Sequence, residues 1–524
     1  MTEDSTRLSA LRASIIQAAD SDNHSEPISD LIQMGLRVAS VRPYLLVSTV
    51  LGKHIPAEPQ AIHAAGTRLG QRVSRVLGDQ HALVIGFAET ATMLGQLVAD
   101  QLGSPYIHST RRGEAGVRAW CSFQESHSHA PAHTLDPWPF SFMHQGEVVV
   151  LVDDEITTAQ TALNTIAELH GRVGIEKYVV ASLVDVRGQQ HQERAERFAR
   201  ELGIEIGWVS LSKATISLPT DFRAPNAQTG GVSPSRDKRG EVIQIDAPWP
   251  KGLRESARHG VGSVDPRFET AISAAAELIS DALPVKGGRT HVLGTEEFMY
   301  SPLRIALKLA GNVTFSATTR SPAVVLDSPG YPIRSAISFE AHDLHSAGTR
   351  YAYNLMGSEF DQIVLVLDED YAQATVEGLI SQLARLAPHV VVVKLPTYRP
   401  PTPLRGPDFG TYRAEDVGWL VKDLSRLSLE VATDTRERRV QAGVNYAEML
   451  PIEYQPDAEY LALFEGALER SATRVAQALE LLGQQILDTR GPEVVIASLA
   501  RAGTPIGILL RRWAAECHGL DWPH

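Results

Sequence analysis

The sequence predicts an α/β protein: Rossmann-like parallel sheets flanked by helices, arranged as a first unit, a second related unit and the start of a third. Three observations carry that prediction. Apolar strand-like runs alternate with helical ones through most of the 524 residues, as in parallel sheets covered by helices. Several runs end in glycine or in paired acids, at the strand ends where open α/β sheets hold ligands. The chain also resembles itself. ALVIGFAETATMLGQLVADQLG, YIHSTRR and VVVLVDDE are followed later by HVLGTEEFMYSPLRIALKLAG, TFSATTRSP and IVLVLDED, a repeat of one supersecondary plan.

Composition narrows the class. The length suits about three domains, and 43% hydrophobic with 21% charged residues describes an ordinary globular chain. A net charge of −13 argues against nucleic acid or an anionic membrane as partner. Cys121 and Cys517 are the two cysteines and lie far apart, so no disulfide framework is expected and a reducing cytoplasm fits. The opening residues, MTEDSTRLSALRASIIQ, carry acids where a signal peptide carries lysines, and no apolar run is long enough to span a membrane. Expected boundaries are 25–222 for the first unit, 223–262 for a Pro/Gly/Ser-rich connector, 263–397 for the second unit, 398–440 for a Pro-dense joint, and 441–524 for a partial third unit.

In chain order, residues 47–56 (VSTVLGKHIP) place Lys53 and His54 after an apolar run. Residues 82–92 (ALVIGFAETAT) read as a strand running into a small hydroxylated loop, Gly86, Phe87, Ala88, Glu89 and Thr90. There glycine lets the backbone approach an anion and threonines donate to it. Glu89 suits either a magnesium ion held through water or an arginine partner. Residues 106–112 (YIHSTRR) supply Arg111 and Arg112, and arginine's planar fork binds phosphate oxygens in pairs. Arg111 is the stronger candidate because Arg320 recurs in the second copy; for Arg112 a phosphate contact and a plain solvated side chain stand equally open. Residues 113–135 hold His127, His129 and His133 among glycines and few core residues. Contact with a phosphate or base is preferred there over zinc, since no cysteine or second cluster completes four ligands.

Residues 148–161 (VVVLVDDEITTAQT) are the most informative. A buried strand ends in Asp153 and Asp154, which can accept hydrogen bonds from vicinal sugar hydroxyls. Glu155, Thr157, Thr158, Ala159, Gln160 and Thr161 then lead into a helix whose free N–H groups favour a phosphate. The next core strand, within residues 179–187, ends in Asp185 and Arg187, read either as ligand-facing groups or as an ion pair fastening the edge.

With that stretch on view, the chain resembles the type I phosphoribosyltransferases, whose donor motif is an apolar strand, two acids and a Thr-Thr-Gly-type loop. The resemblance implies magnesium-dependent displacement of pyrophosphate from phosphoribosyl pyrophosphate by an acceptor. It makes Asp153, Asp154 and Arg111 the catalytic set, with the two acids also holding Mg2+. It gives the 5′-phosphate to residues 157–161 and the pyrophosphate to residues 86–92 with Arg111, and counts Glu155 among the substrate-binding residues. Lys53 would touch pyrophosphate or acceptor, or lie solvated, and the loop bearing His127 and His129 would close over the donor. Ala159 departs from the family's glycine. Such enzymes often pair, which is the basis for expecting a homodimer.

The match extends further. GKHIP, ETAT and ESHSHAPAH resemble the orotate phosphoribosyltransferase-like domain of bacterial tellurium-resistance-associated gene clusters. Thr319, Arg320, Ser321 and Pro322 with GYPI resemble the TRSP domain that follows it there. NYAEMLPIEYQP and LARAGTPIG resemble the start of a further phosphoribosyltransferase-like protein of those clusters, one sometimes labelled a cysteine protease. The implied role is ribosylation of an unidentified acceptor toward a nucleoside-like metabolite. Rival readings are a non-catalytic phosphoribosyl pyrophosphate-binding regulator or scaffold, and a cysteine hydrolase using Cys517. In the second unit Asp368 and Glu369 are not followed by a threonine-rich loop, so weak donor binding is expected there. Arg320, Ser321, Tyr331 and Arg334 bind acceptor or product, or the unit is a structural partner.

Overall fold

Apolar runs without alternation become strands covered on both faces, and here they form the centres of two parallel sheets. The computed structural model describes residues 14–17, 25–37, 43–112, 121–124, 132–135, 148–218, 238–262, 265–342, 347–369, 371, 373–399, 403–424, 427–445, 448–500 and 502–524. The chain divides into two compact units, Met1–Tyr398 and Arg399–His524, and the first contains both sheets.

The strands of the first half are β1 (Ser14–Gln17), β2 (Ile32–Leu36), β3 (Tyr44–Ser48), β4 (Ala82–Gly86), β5 (Tyr106–His108), β6 (Cys121–Gln124), β7 (Ala132–Leu135), β8 (Val148–Ile156), β9 (Lys177–Asp185) and β10 (Glu205–Ser217). Six of them form a sheet in the order β1-β10-β9-β8-β4-β5, parallel except for β1. Helices α1 (Pro59–Leu77), α2 (Ala91–Leu102) and α3 (Gln160–Val173) pack on it. The second half supplies β11 (Glu241–Asp246), β12 (Thr290–Gly294), β13 (Val313–Ala317), β14 (Ala336–Glu340), β15 (Thr349–Tyr353), β16 (Gln362–Asp368) and β17 (His389–Leu395), with helices α4 (Pro266–Ala282), α5 (Tyr300–Ala306) and α6 (Gln373–Leu383). Its all-parallel sheet runs β11-β17-β16-β12-β13.

The two sheets share one plan, β5-β4-β8-β9 matching β13-β12-β16-β17. Ile85 lies opposite Leu151 in the first and Leu293 opposite Leu365 in the second. Counting on from those pairs, Asp154 and Asp368 are equivalent, and Leu367 takes the place of Asp153. A plain reading of the repeated motifs sets Asp153 against Asp368; pairing register moves the match by one residue. The stretch expected as a connector also does more than connect. Its EVIQID run adds β11 beside β17, and further on Val261 pairs with Tyr106. Its alternating pattern is hidden by the polar composition around it.

The halves share a core. Ala57, Met93, Leu94 and Tyr106 belong to the same buried cluster as Leu303, Val313 and Phe315. The β2–β3 hairpin packs through Leu36, Leu45 and Val47 onto Ala323, Val324, Tyr331 and Ile333. Among the described residues no helix is long and apolar enough to cross a membrane.

The unit Arg399–His524 is built on α7 (Ala458–Arg490) and α8 (Gly503–His518). Asp457 caps α7 by accepting from the Tyr460 N–H at 2.8 Å. The two helices meet at Gly483, where a Cβ would stand 2.5 Å from the Trp513 ring. Leu461, Phe464, Leu468, Val475 and Leu482 of α7 are exposed, while Leu479 is buried. Residues 493–499 form no strand, and the Ile496 N–H donates to the Pro523 carbonyl at 2.8 Å.

Glu255, near the end of the former connector, tests how tightly that segment is built in. Its carboxylate accepts from the Tyr398 N–H at 2.6 Å, its carbonyl accepts from the Ser301 hydroxyl, and burial pushes its carboxyl up from 4.5 to about 7. Between those two values the folded chain keeps a proton that the unfolded chain releases. Stability therefore falls as pH rises through that window and levels off above it. Glu255→Gln is expected to flatten the slope in thermal unfolding followed against pH; an unchanged slope would assign it to another group.

Candidate active site

The strand β8 carries Asp153, Asp154 and Glu155 to the edge of the first sheet, where they are partly exposed. Asp153 Oδ1 accepts from the Asp154 N–H at 2.9 Å. The chain then turns through Thr157 and Thr158 and enters α3 after Ala159, which holds φ 62° and ψ 7°. The position therefore does need the left-handed backbone that glycine adopts freely, and alanine there costs roughly 1–2 kcal/mol.

Facing this turn is the loop after β4. Gly86 and Phe87 support the loop without lining the cleft. A Cβ on Gly86 would stand 2.2 Å from the Tyr106 hydroxyl, and Phe87 is buried edge-on to Phe123 at 5.7 Å. Ala88, Glu89 and Thr90 do line it. The Ala88 N–H donates to Ser109 Oγ at 2.9 Å, and Lys53 donates to the Thr90 hydroxyl and lies 4.0 Å from Glu89. Arg111 donates to Nε2 of His133 at 3.1 Å, and His133 Nδ1 lies 2.9 Å from Ser109 Oγ. A guanidinium only donates, so Nε2 accepts and Nδ1 carries the proton. His133 thus couples Arg111 to the Ala88 loop.

These parts border one cleft of about 330 Å³. Its lining includes Asp153, Asp154 and Glu155 with the turn 157–161, together with Lys53, Ala88–Thr90 and Arg111. The second half adds Arg320, Ser321 and Arg350. Arg37 and His54, which sequence reasoning did not commit to the site, line it as well. Burial, then the charges of Lys53 and Arg37, hold His54 well below the usual histidine range, so it is neutral near pH 7. Its Nε2 is buried with no hydrogen-bond partner among the described residues. The adjacency of His54 to Lys53 was the available signal; nothing local marks Arg37 or Arg350.

The halves hold one another through a reciprocal exchange. Glu89 of the first loop accepts from Thr319 Oγ1 at 2.7 Å and from the Arg320 N–H at 3.3 Å. Glu297, in the same place after β12, accepts from Thr110 Oγ1 and from the Arg111 N–H, both at 2.7 Å. Each buried carboxylate is satisfied by the Thr-Arg pair of the other half. Beside them Arg320 and Arg350 pair with Glu296 at 2.5 and 2.8 Å. Burial would raise the Glu296 carboxyl, but Arg320, His342, Arg112 and Arg350 outweigh it and hold it well below the ordinary range.

Other expected site residues have structural partners. Arg187 grips Asp185 at 2.7 Å and lies 3.4 Å over Trp208, so this pair fastens the sheet edge. Tyr331 donates to the Val324 carbonyl and accepts from the Leu36 N–H, and Arg334 pairs with Asp327 on the surface. Cys121 is buried and Cys517 exposed, both free. His127 and His129 lie outside the described residues.

Thr319→Val removes the hydroxyl bonded to the buried Glu89 carboxylate. It is expected to cost about 1–3 kcal/mol in denaturant unfolding, the usual loss when a buried acceptor is stranded. Thr319→Ser should stay near wild type; a valine variant as stable as wild type would contradict the exchange.

Comparison with known proteins follows these divisions. Residues 31–215 match the family model described as "Phosphoribosyl transferase", residues 255–383 the one described as "TRSP domain C terminus to PRTase_2", and residues 410–524 the one described as "Tellurite-like stress resistance cysteine protease StiP". A curated relative, "Cysteine protease StiP" of Acinetobacter baylyi, is 38% identical over 118 residues, 22% of this chain and 30% of that protein. The chain thus spans less than a third of that relative's length. Similar solved structures include adenine phosphoribosyltransferase of Trypanosoma brucei in complex with AMP, pyrophosphate and ribose-5-phosphate, at 14% identity over 35% of this chain and 76% of that one, TM-score 0.27. Another is the Giardia lamblia enzyme complexed with 9-deazaadenine, at 18% identity over 36% and 98%, TM-score 0.25. The chain joins in one polypeptide a phosphoribosyltransferase-like α/β segment, a segment similar to the TRSP domain and a segment similar to the tellurite-stress protein StiP.

Proposed function

We propose that the chain is a magnesium-dependent phosphoribosyltransferase that transfers the ribose 5-phosphate group of phosphoribosyl pyrophosphate to an acceptor, toward a nucleoside-like metabolite in a cytoplasmic stress response. The observation that carries the reading is convergence. A strand-end acid pair, a threonine turn at a helix start and a small loop flanked by Lys53 and Arg111 meet in one cleft, as the three parts of this donor require.

In this reading Asp153 and Asp154 accept from the ribose 2- and 3-hydroxyls. The backbone N–H groups at the start of α3, with Thr157, Thr158 and Thr161, take the 5′-phosphate. The Ala88–Thr90 loop, Lys53 and Arg111 receive the pyrophosphate. The C1–oxygen bond breaks with its electron pair leaving on pyrophosphate, while the acceptor's nucleophilic atom bonds to C1. Positioning and charge placement account for most of such a step. His54, neutral and buried, is placed to accept a hydrogen bond from a ligand in the cleft.

The donor set suits magnesium. The carboxylates of Asp153, Asp154 and Glu155 line the cleft. Magnesium commonly binds through one or two carboxylates together with substrate phosphates. When bound there with the donor, it would neutralise charge on the departing pyrophosphate.

The thiol chemistry in the StiP relative's name finds no matching geometry at Cys517. This residue lies exposed on α8, and the ring of the adjacent His518 packs against Trp513 at 4.7 Å. Neighbours on a helix point about 100° apart.

Titration calorimetry with phosphoribosyl pyrophosphate and magnesium is expected to show binding to the wild type that Asp153→Asn/Asp154→Asn abolishes. Wild-type chain that takes up no donor would sink the reading. Ala159→Gly should raise thermal stability by up to about 1 kcal/mol, relief of the left-handed strain being partly offset by the lost methyl; a destabilised variant would contradict the strain at that turn.

A further inference from the structure

The exchange between the halves is symmetric in its threonines and arginines but not in the residue that follows. Thr110, Arg111 and Arg112 correspond to Thr319, Arg320 and Ser321. In each set the threonine hydroxyl accepts from the third residue's N–H, at 3.0 and 3.1 Å. The third position therefore carries a long cation in one half and a short hydroxyl in the other. Arg112 crosses to Asp368, Nη1 to Oδ2 at 2.6 Å, with both side chains buried. Asp368 is the register equivalent of Asp154. Ser321 borders the cleft that contains Asp154, and its side chain is too short to make the corresponding pair.

Resting on the phosphoribosyltransferase reading of that cleft, we propose that the chain is a fused pair of sites with one donor site open and its counterpart shut, and that the equivalent positions Ser321 and Arg112 set which is which. A short, buried ion pair occupies the acid that would otherwise meet a sugar hydroxyl, and breaking it would leave an uncompensated buried charge. The shut half has lost the rest of the donor chemistry too. Leu367, fully buried, stands for Asp153. Tyr371 and Ala372 stand for Thr157 and Thr158. What the second half retains is its loan to the first, the Thr319 hydroxyl and Arg320 N–H that hold Glu89. It acts as the partner subunit of the first half, covalently attached.

Ser321→Arg tests this by writing the closing residue into the open site. Calorimetry with phosphoribosyl pyrophosphate and magnesium should give one equivalent per wild-type chain, and an affinity on the order of 100-fold lower in the variant. Thermal unfolding of Ser321→Arg, Asp154→Asn and the double variant reads the same contact without donor. The Tm shifts should be non-additive, with the arginine raising Tm only while Asp154 is present. Two equivalents per wild-type chain, or a variant that binds donor like wild type, overturns the proposal. Should the wild type bind no donor, the phosphoribosyltransferase reading fails on its own. The Tm cycle then decides the gate, additive shifts overturning it and non-additive ones upholding it. If Ser321→Arg does not fold, Ser321→Lys is read by the same outcomes.

Discussion

Two buried carboxylates, Glu89 and Glu297, set the terms for the first compact unit. A carboxylate removed from water is costly unless hydrogen bonds replace the lost hydration. Among the described residues, the side-chain and backbone hydrogen-bond donors to each glutamate carboxylate come from the opposite half. Glu89 is satisfied by Thr319 and Arg320, and Glu297 by Thr110 and Arg111. Separation of the halves would strand both acids, so the sheets are held in one relation, supported by the core that Tyr106 and Phe315 share. The candidate site inherits this. Glu89 belongs to the Ala88–Thr90 loop, and the backbone of Arg111 is fixed by Glu297 from the other half.

Much of the fold was legible because it rests on local pattern. Unbroken apolar runs became the central strands, and the strand-acid-threonine-helix order of residues 148–161 became a strand, a turn and a helix, with a left-handed backbone where the family resemblance implied glycine. The two halves were visible as a repeat. What escaped depended on distance or on partners. The partner of Glu89 lies 230 residues away, so a choice between metal and arginine could not foresee a threonine hydroxyl. Arg112, read as an undecided cation, meets an acid 256 residues on. The shift from Asp153 to Asp154 as the counterpart of Asp368 follows from strand pairing, which motif spacing does not report. In the unit Arg399–His524, apolar residues recur along α7 while most of that stripe is exposed, because spacing says nothing about what lies opposite.

The cleft gathers the donor-site residues that the family resemblance implied, except Gly86 and Phe87, which shape the loop from behind, and the two histidines outside the described residues. It adds neutral His54 and the arginines at 37, 320 and 350, so cations and an acid-bearing strand end line the same cleft of about 330 Å³. A donor with a sugar diol at one end and polyphosphate at the other calls for both kinds of group. The account stands on this pairing and on the second half's part in it. A crystal structure of the chain with phosphoribosyl pyrophosphate and magnesium is the most direct measurement. The account predicts a single donor per chain, its ribose hydroxyls on Asp153 and Asp154 and its pyrophosphate beside Lys53 and Arg111, with Glu89 still bonded to Thr319. Donor bound beside Asp368, or a cleft in which the ribose lies away from both aspartates, would contradict it.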